Sequence, residues 1–261
     1  MASLKATKRH QVILATLGER EQATVLELSE MLGVSHVTIR EDLRQLEEAG
    51  QLVRSRGGAI AIGDRRFEQP LELTRRSEPE AKRAIGRAAA ALVRDGQTII
   101  VDVGSTTTAM AESLDGEFFD LTVVTNGLNI ALTLEKRRNS TIIVTGGTLR
   151  PLQHSLVAPL GTTLLERINA DVAFLGCNGI DPRRGFTNSN VAEAEIKQAM
   201  IASAARVVVL ADHTKLAQIA SAFVAPLAAA DLLVTDDGAD PRLVQELRSA
   251  GLEVLVVPVE R

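Results

Sequence analysis

The sequence predicts two structural classes in one chain: a winged helix-turn-helix over residues 1–62 and, after a linker at 63–80, a mainly parallel α/β sheet domain over 81–261. Three observations predict it. The first sixty residues carry three short helical patterns punctuated by glycines and followed by a Gly-Gly hairpin signal. From residue 81 onward, continuous apolar runs of strand length alternate with helical patterns, as a sheet covered on both faces requires. The composition, 45% hydrophobic but only 2% aromatic with no Trp or Tyr, suits layers packed from aliphatic side chains.

The first helix is expected over residues 5–17, where Val12, Ile13, Leu14 and Leu17 recur at helical spacing and Gly18 ends the run. Thr24 is placed to cap a second helix with Val25, Leu28, Met31 and Leu32 on its apolar face, and Gly33 supplies a sharp turn. Ser35 is the expected N-cap of a third helix, in which Ile39, Leu43 and Leu46 face inward until Gly50. At roughly 100° per residue, its opposite face holds Val37, Glu41, Arg44 and Glu48, flanked by Thr38, Arg40 and Gln45. Residues 51–62 read as two short strands around Gly57-Gly58, a wing with Arg54 and Arg56 near its tip.

That exposed helix face fits a major groove. Arg40 and Arg44 carry the fork that reads guanine bidentately, Thr38 can bond a base edge or phosphate, and Val37 can meet a thymine methyl. Ser35, His36, Glu41 and Gly57 complete the candidate DNA-facing set with Arg54 and Arg56, which are placed for phosphate or the minor groove. Glu47 and Glu48 are expected to project away from the duplex. The same three helices would also serve as a protein-docking module with solvated arginines. The net charge of −4, and acids at 19, 21, 27, 30, 41, 42, 47 and 48, give DNA binding no support from electrostatics alone.

The residues themselves carry a resemblance. Residues 25–43, with Leu28-Ser29-Glu30-Met31-Leu32-Gly33-Val34-Ser35 and Thr38-Ile39-Arg40-Glu41-Asp42-Leu43, and 46–59, with Gly50-Gln51-Leu52-Val53-Arg54 and Arg56-Gly57-Gly58-Ala59, resemble without a gap the DNA-binding signature of the DeoR family of bacterial regulators. Glu41 stands where that family often has a second basic residue, and His36 where it is frequently acidic. These departures bear on the preferred operator rather than on the act of binding.

Residues 63–80 mix Arg, Glu, Pro and Gly without apolar periodicity, and Pro70 and Pro79 are expected to break any regular element there. Beyond them come a helix over 81–93 and strands over 97–103, 121–125, 140–145, 171–176, 206–211, 231–235 and 253–259. In a parallel sheet the polar turns after the strands lie together. Here those turns hold Asp102, Gly104, Ser105, Thr106 and Thr107; Asn126; Gly146, Gly147 and Arg150; Asn178 and Gly179; and Asp212 and Lys215. The Gly104 turn leads into a helix, so its N–H groups and hydroxyls can cradle an anion, and Lys215 adds a full charge. Asp102, Asn126, Asn178 and Asp212 suit sugar hydroxyls. Capping explains Ser and Thr after a strand as well as phosphate does. No Gly-Lys-Ser/Thr follows, so this is not a Walker A loop.

This half also resembles the effector domain of the DeoR family, similar in fold to ribose-5-phosphate isomerase. The resemblance implies a regulator, in the first instance a repressor of carbohydrate genes, controlled by a phosphorylated sugar or related metabolite. The alternative is a sugar-phosphate isomerase with an accessory N-terminal domain. Gly104-Ser105-Thr106 and the Asp212 to Lys215 loop match the isomerase, but Leu175 and Asn178 stand where it has acids, and Gln198 stands where it keeps a catalytic glutamate. An amide cannot move a proton between carbons, which favours binding over turnover, with Glu195 one turn earlier as the possible substitute.

Cys177 is the only cysteine, so no intramolecular disulfide is expected, and its role is that of a small filler residue. His10, His154 and His213 show no metal-ligand spacing, and no metal or cofactor is expected. Residues 1–10 lack the apolar run of a signal peptide, and no stretch reaches the ~18 apolar residues of a membrane span. The expected setting is the cytoplasm, with double-stranded operator DNA and the effector as partners. Palindromic readout implies a homo-oligomer, dimer or tetramer.

Overall fold

In a computed structural model of the chain, residues 6–20, 22–48, 51–55, 57–61, 70–114, 118–137 and 139–260 are described, and the chain divides into two compact units, Met1–Phe67 and Glu68–Arg261.

The first unit contains α1 (Ala6–Arg20), β1 (Gln22–Thr24), α2 (Val25–Leu32), α3 (His36–Glu48), β2 (Leu52–Ser55) and β3 (Gly58–Ala61). Its core joins Ile13 and Leu17 of α1 to Leu28 of α2, Ile39, Leu43 and Leu46 of α3, and Leu52 of the wing. Helix α1 passes through Gly18, where the sequence suggested an end. A glycine inside a helix costs only about 1 kcal/mol, too little to end it by itself. Thr24 and Glu27 form a reciprocal capping box: the Thr24 hydroxyl accepts from the Glu27 N–H at 3.2 Å, and the Glu27 carboxylate accepts from the Thr24 N–H at 2.7 Å. At the other end of α2, Gly33 takes φ 63°, the left-handed conformation that turns the chain into α3. The three strands form an antiparallel sheet in the order β1-β3-β2. Arg56 of the expected wing lies outside the described residues.

The second unit opens on α4 (Leu71–Arg76) and α5 (Pro79–Ala90), which corrects the expectation that residues 70–80 lack regular structure. Pro70 and Pro79 stand at helix starts, where a missing N–H leaves nothing unsatisfied, so they begin helices instead of breaking them. Leu71 is buried, and its N–H donates to Leu152 O at 3.0 Å, which docks α4 on this unit.

There follow β4 (Thr98–Val101), α6 (Ser105–Ser113), β5 (Leu121–Thr125), α7 (Leu128–Leu134), β6 (Ser140–Val144), β7 (Thr148–Arg150), β8 (Ser155–Val157) and α8 (Leu160–Leu165). The chain continues through β9 (Ala170–Gly176), β10 (Gly179–Asp181), β11 (Gly185–Asn188), α9 (Val191–Ala202), β12 (Ala204–Leu210), β13 (Ala222–Ala225), β14 (Leu232–Asp236), α10 (Pro241–Ser249) and β15 (Glu253–Val257). Seven strands form one sheet in the order β15-β14-β12-β9-β4-β5-β6, every neighbouring pair parallel. One face packs on a core with Leu175, Ile196, Met200 and Leu233, the other on one with Ile85, Met110, Phe174 and Leu232. The hairpin β7-β8 and the antiparallel sheet β10-β11-β13 were not anticipated, because strands of three or four residues with Gly and Arg among them give no period-two signal.

Candidate functional site

In the first unit, α3 presents the face that the sequence assigned to DNA. Ser35 accepts from the Thr38 N–H at 3.2 Å, so the helix begins with a capped, exposed first turn. Val37 is 73% exposed, and His36, Arg40, Glu41 and Arg44 are exposed along the same side. Gly57 is exposed at the wing turn with φ 98°.

The charges are less free than the sequence implied. Arg44 donates through Nε and Nη2 to the two oxygens of Glu41, at 2.9 and 2.5 Å, and through Nη1 to Glu48 at 2.5 Å. The Arg44 and Gln45 hydrogen bonds pull the Glu41 carboxyl down to about 2, so the acid stays charged. Glu48 thus holds Arg44 on the same helix. Glu47 accepts from the Arg54 N–H at 3.1 Å and stands 3.8 Å from the Arg54 guanidinium, tying α3 to the wing. Asp42, counted in the sequence among offsetting surface acids, is buried. It accepts from Arg9 Nε at 2.7 Å and Nη2 at 2.8 Å, and lies 3.1 Å from His10 Nε2.

In the second unit, parallel strands put the turns after β4, β5, β6, β9 and β12 at one edge of the sheet. The strand order reverses at β4: the chain runs outward through β5 and β6 on one side, then returns to β9 on the other. In open parallel sheets ligands bind beyond the strand ends at such a reversal, which here lies between the C-terminal ends of β4 and β9.

Asp102 lies at that point, fully buried. Its Oδ2 accepts from the Gly176 N–H at 3.0 Å and from Lys197 Nζ, while Oδ1 has no hydrogen-bond partner among the described residues. Burial drives the Asp102 carboxyl upward against the pull of Lys197. Burial also opposes the charge on Lys197, but Asp102 and Glu193 outweigh it and hold the amine above its ordinary value. Asn126, likewise fully buried, accepts from the Val103 N–H at 2.8 Å and leaves its Nδ2 without a partner. Asn129 donates to Thr108 at 2.7 Å, and its Oδ1 is also unsatisfied. These orphaned atoms gather at the strand ends around the reversal, where buried polar groups otherwise find partners.

Gly104 precedes α6 with φ 152°, and its carbonyl accepts from the hydroxyls of Thr107 at 3.1 Å and Thr108 at 2.5 Å. The Thr107 hydroxyl is therefore spent on the helix, whereas Ser105 and Thr106 sit in the first turn beside free N–H groups. Asp212 is buried after β12. Its Oδ1 accepts from Thr214, and its Oδ2 lies 3.7 Å from Lys82 Nζ with no hydrogen bond. Burial opposes its charge, but Lys215, Lys82 and the Thr214 bonds hold the carboxyl below the usual range. Lys215 is half-buried and donates to Thr214 at 3.1 Å.

Other predicted residues are committed to the fold. Gly146 and Gly147 take φ 73° and 118° in the turn before β7. Arg150 donates to Glu193 at 2.5 Å. Asn178 is exposed, its Oδ1 accepting from the Ser189 N–H and hydroxyl at 3.0 and 3.1 Å, and Gly179 packs under the Gln218 carbonyl.

Sequence reasoning missed Lys82, Glu193, Lys197 and Asn129. Lys197 and Glu193 were legible: they fall on the stripe of α9 that also carries Ile196 and Met200, where a surface charge does not belong. The position expected to carry an isomerase glutamate holds Gln198, whose amide donates to Val224 O at 3.1 Å, and Glu195 is exposed. The buried acid is Glu193, and both its oxygens accept hydrogen bonds: Oε1 from Arg150 and from Ser155 at 2.6 Å, and Oε2 from Asn188 at 3.1 Å. Cys177, half-buried after β9, has its thiol pushed up to about 12 by desolvation, which disfavours the thiolate. Among the described residues no helix is long and apolar enough to cross a membrane.

Comparison with known proteins gives matches over both units. The family model for the DeoR C terminal sensor domain matches residues 77–237, and that for the DeoR-like helix-turn-helix domain matches residues 9–65. The HTH-type transcriptional regulator GolR of Listeria innocua is 37% identical over 95% of this chain and 98% of its own. The HTH-type transcriptional regulator GlpR of Haloferax volcanii is 36% identical, over 95% and 96%. The glycerol-3-phosphate regulon repressor of Escherichia coli K12 is 30% identical, over 89% and 92%. Among solved structures, ribose 5-phosphate isomerase A of Methanocaldococcus jannaschii aligns with a TM-score of 0.41 at 17% identity, over 54% of this chain and 55% of that one, a likeness too low to carry any statement about this chain.

Proposed function

This chain belongs to the DeoR family of transcriptional regulators, and from that premise we propose that it represses carbohydrate-metabolism genes under the control of a phosphorylated sugar or a related metabolite. As a member of that family it is a DNA-binding regulator and not an enzyme. The observation that carries the effector reading is the set of orphaned buried atoms at the sheet edge: Asp102 Oδ1, Asn126 Nδ2, Asn129 Oδ1 and Asp212 Oδ2.

Two of the three atoms nearest the strand reversal accept and one donates, the mixture that adjacent hydroxyls satisfy. The phosphate then sits on the free N–H groups of Gly104, Ser105 and Thr106 at the positive end of α6, with Lys215 as counter-charge. Gly146, Gly147, Arg150, Asn178, Gly179 and Thr107 shape the rim, and Glu193 holds Arg150 in place. The name of the Escherichia coli relative, which refers to a glycerol-3-phosphate regulon, supports a phosphorylated effector.

The operator is read by Ser35, His36, Val37, Thr38, Arg40, Glu41 and Arg44 on α3, with Arg54, Arg56 and Gly57 on the wing. Two copies in a dimer or tetramer present paired helices to palindromic half-sites, and the effector releases them. The coupling is a differential affinity for two arrangements of the protein, on the order of 1–3 kcal/mol in ordinary allosteric systems. Operator-shift titration against a panel of phosphorylated metabolites tests the whole reading. A ligand that both raises the melting temperature and releases operator is expected, and a full panel that does neither overturns it.

A further inference from the structure

We propose that Glu41 and Glu48 are positioning residues that hold Arg44 ready to read one base pair of each half-site, so that Glu41 helps determine operator specificity. The inference rests on α3 being the recognition helix.

Residues 37, 41, 44 and 48 form one exposed stripe of α3, opposite buried Ile39, Leu43 and Leu46. Arg44 is the centre of this stripe, and three of its five N–H groups are committed: Nε and one Nη2 hydrogen to Glu41, one Nη1 hydrogen to Glu48. Glu41 is itself braced, its Oε1 also accepting from Gln45 at 2.9 Å. One N–H remains on each terminal nitrogen. Those two N–H groups are the donors left to Arg44 for guanine O6 and N7.

An unbraced arginine loses several rotatable bonds on docking, and an arginine already clamped loses little. The clamp has an electrostatic cost as well, because two carboxylates on a groove-facing stripe repel phosphate wherever the helix lands. Bracing and repulsion therefore act on different quantities. The first raises the preference for the right sequence, and the second lowers affinity for every sequence. Arg40, one turn earlier, has no carboxylate partner among the described residues and is free to contact phosphate.

The full chain is first used to select duplexes from a random-sequence library. Affinities for the selected operator, its single-base variants and a scrambled duplex are then measured for wild type, Glu41→Gln, Glu48→Gln, the double variant and Arg44→Lys. The expected result is that the glutamine variants bind scrambled DNA more tightly than wild type, while the ratio of operator to scrambled affinity falls about fivefold or more in the double variant. The lost discrimination falls at the base pair where Arg44→Lys loses it. A glutamine variant whose ratio is unchanged or higher overturns the proposal, because the acids then sequester Arg44 instead of presenting it. A wild type that enriches no sequence overturns the recognition-helix reading itself, and this proposal with it.

Discussion

Lys197 and Asp102, 95 residues apart in sequence, are joined by a hydrogen-bonded ion pair at the point where the sheet reverses its strand order. The pair links α9 to the end of β4, and through the Gly176 N–H to the end of β9, so the two strands at the reversal share one carboxylate.

Replacing Lys197 with Met should leave that carboxylate buried and unpaired. A loss of about 3–5 kcal/mol is expected in urea unfolding, as for other broken buried pairs. The double variant Lys197→Met, Asp102→Asn should recover much of it. A single variant as stable as wild type would show that the pair contributes nothing.

Asp42 accepts from Arg9 twice and lies beside His10, so Asp42→Ala should take two charge-assisted hydrogen bonds from a buried guanidinium. We expect the DNA-binding unit to lose about 3 kcal/mol or more. Operator affinity should fall with it, while ligand-induced stabilisation of the second unit persists in differential scanning calorimetry.

Burial lowers the Lys82 amine to about 8 from an ordinary value near 10.5, against the opposing pull of Asp212. Between those values the unfolded chain holds a proton that the folded chain does not, so this residue's contribution to stability rises as pH climbs from 8 towards 10.5. The gain is on the order of 3 kcal/mol at most. Lys82→Met should flatten that part of the stability profile, and a profile that keeps its slope counts against the assignment.

At Gly147 the backbone has φ 118°, and an added Cβ would come within 2.0 Å of Val157 O. Gly147→Ala should therefore destabilise the second unit by several kcal/mol and shift the turn after β6. Gly96, with φ 73° but open space around it, provides the control: alanine there should cost about 1 kcal/mol.

Lys215→Ala should leave operator affinity unchanged and weaken effector-driven release. The charge is removed at the sheet edge of the second unit, whereas the proposed operator contacts are on α3 and the wing. An unaltered effector response would take Lys215 out of the site.

The order of strands and helices was readable from the sequence because apolar runs such as residues 121–125 and 232–236 repeat wherever a strand is buried on both faces. The polar turns after those strands were readable for the same reason: periodicity shows where a strand stops, and a parallel sheet gathers its stops at one edge. The cap at Thr24 and the turn at Gly33 are local in origin, and they formed where the sequence placed them. Which polar side chains are free and which are spent was decided by the tertiary structure alone. Asn178 turns to Ser189 and Arg150 to Glu193, while Lys197 arrives at Asp102 from a helix 95 residues away. Secondary structure follows from interactions within a few residues along the chain. The partner of a buried charge is set by whichever distant element packing brings within about 3 Å, and no local pattern encodes that meeting.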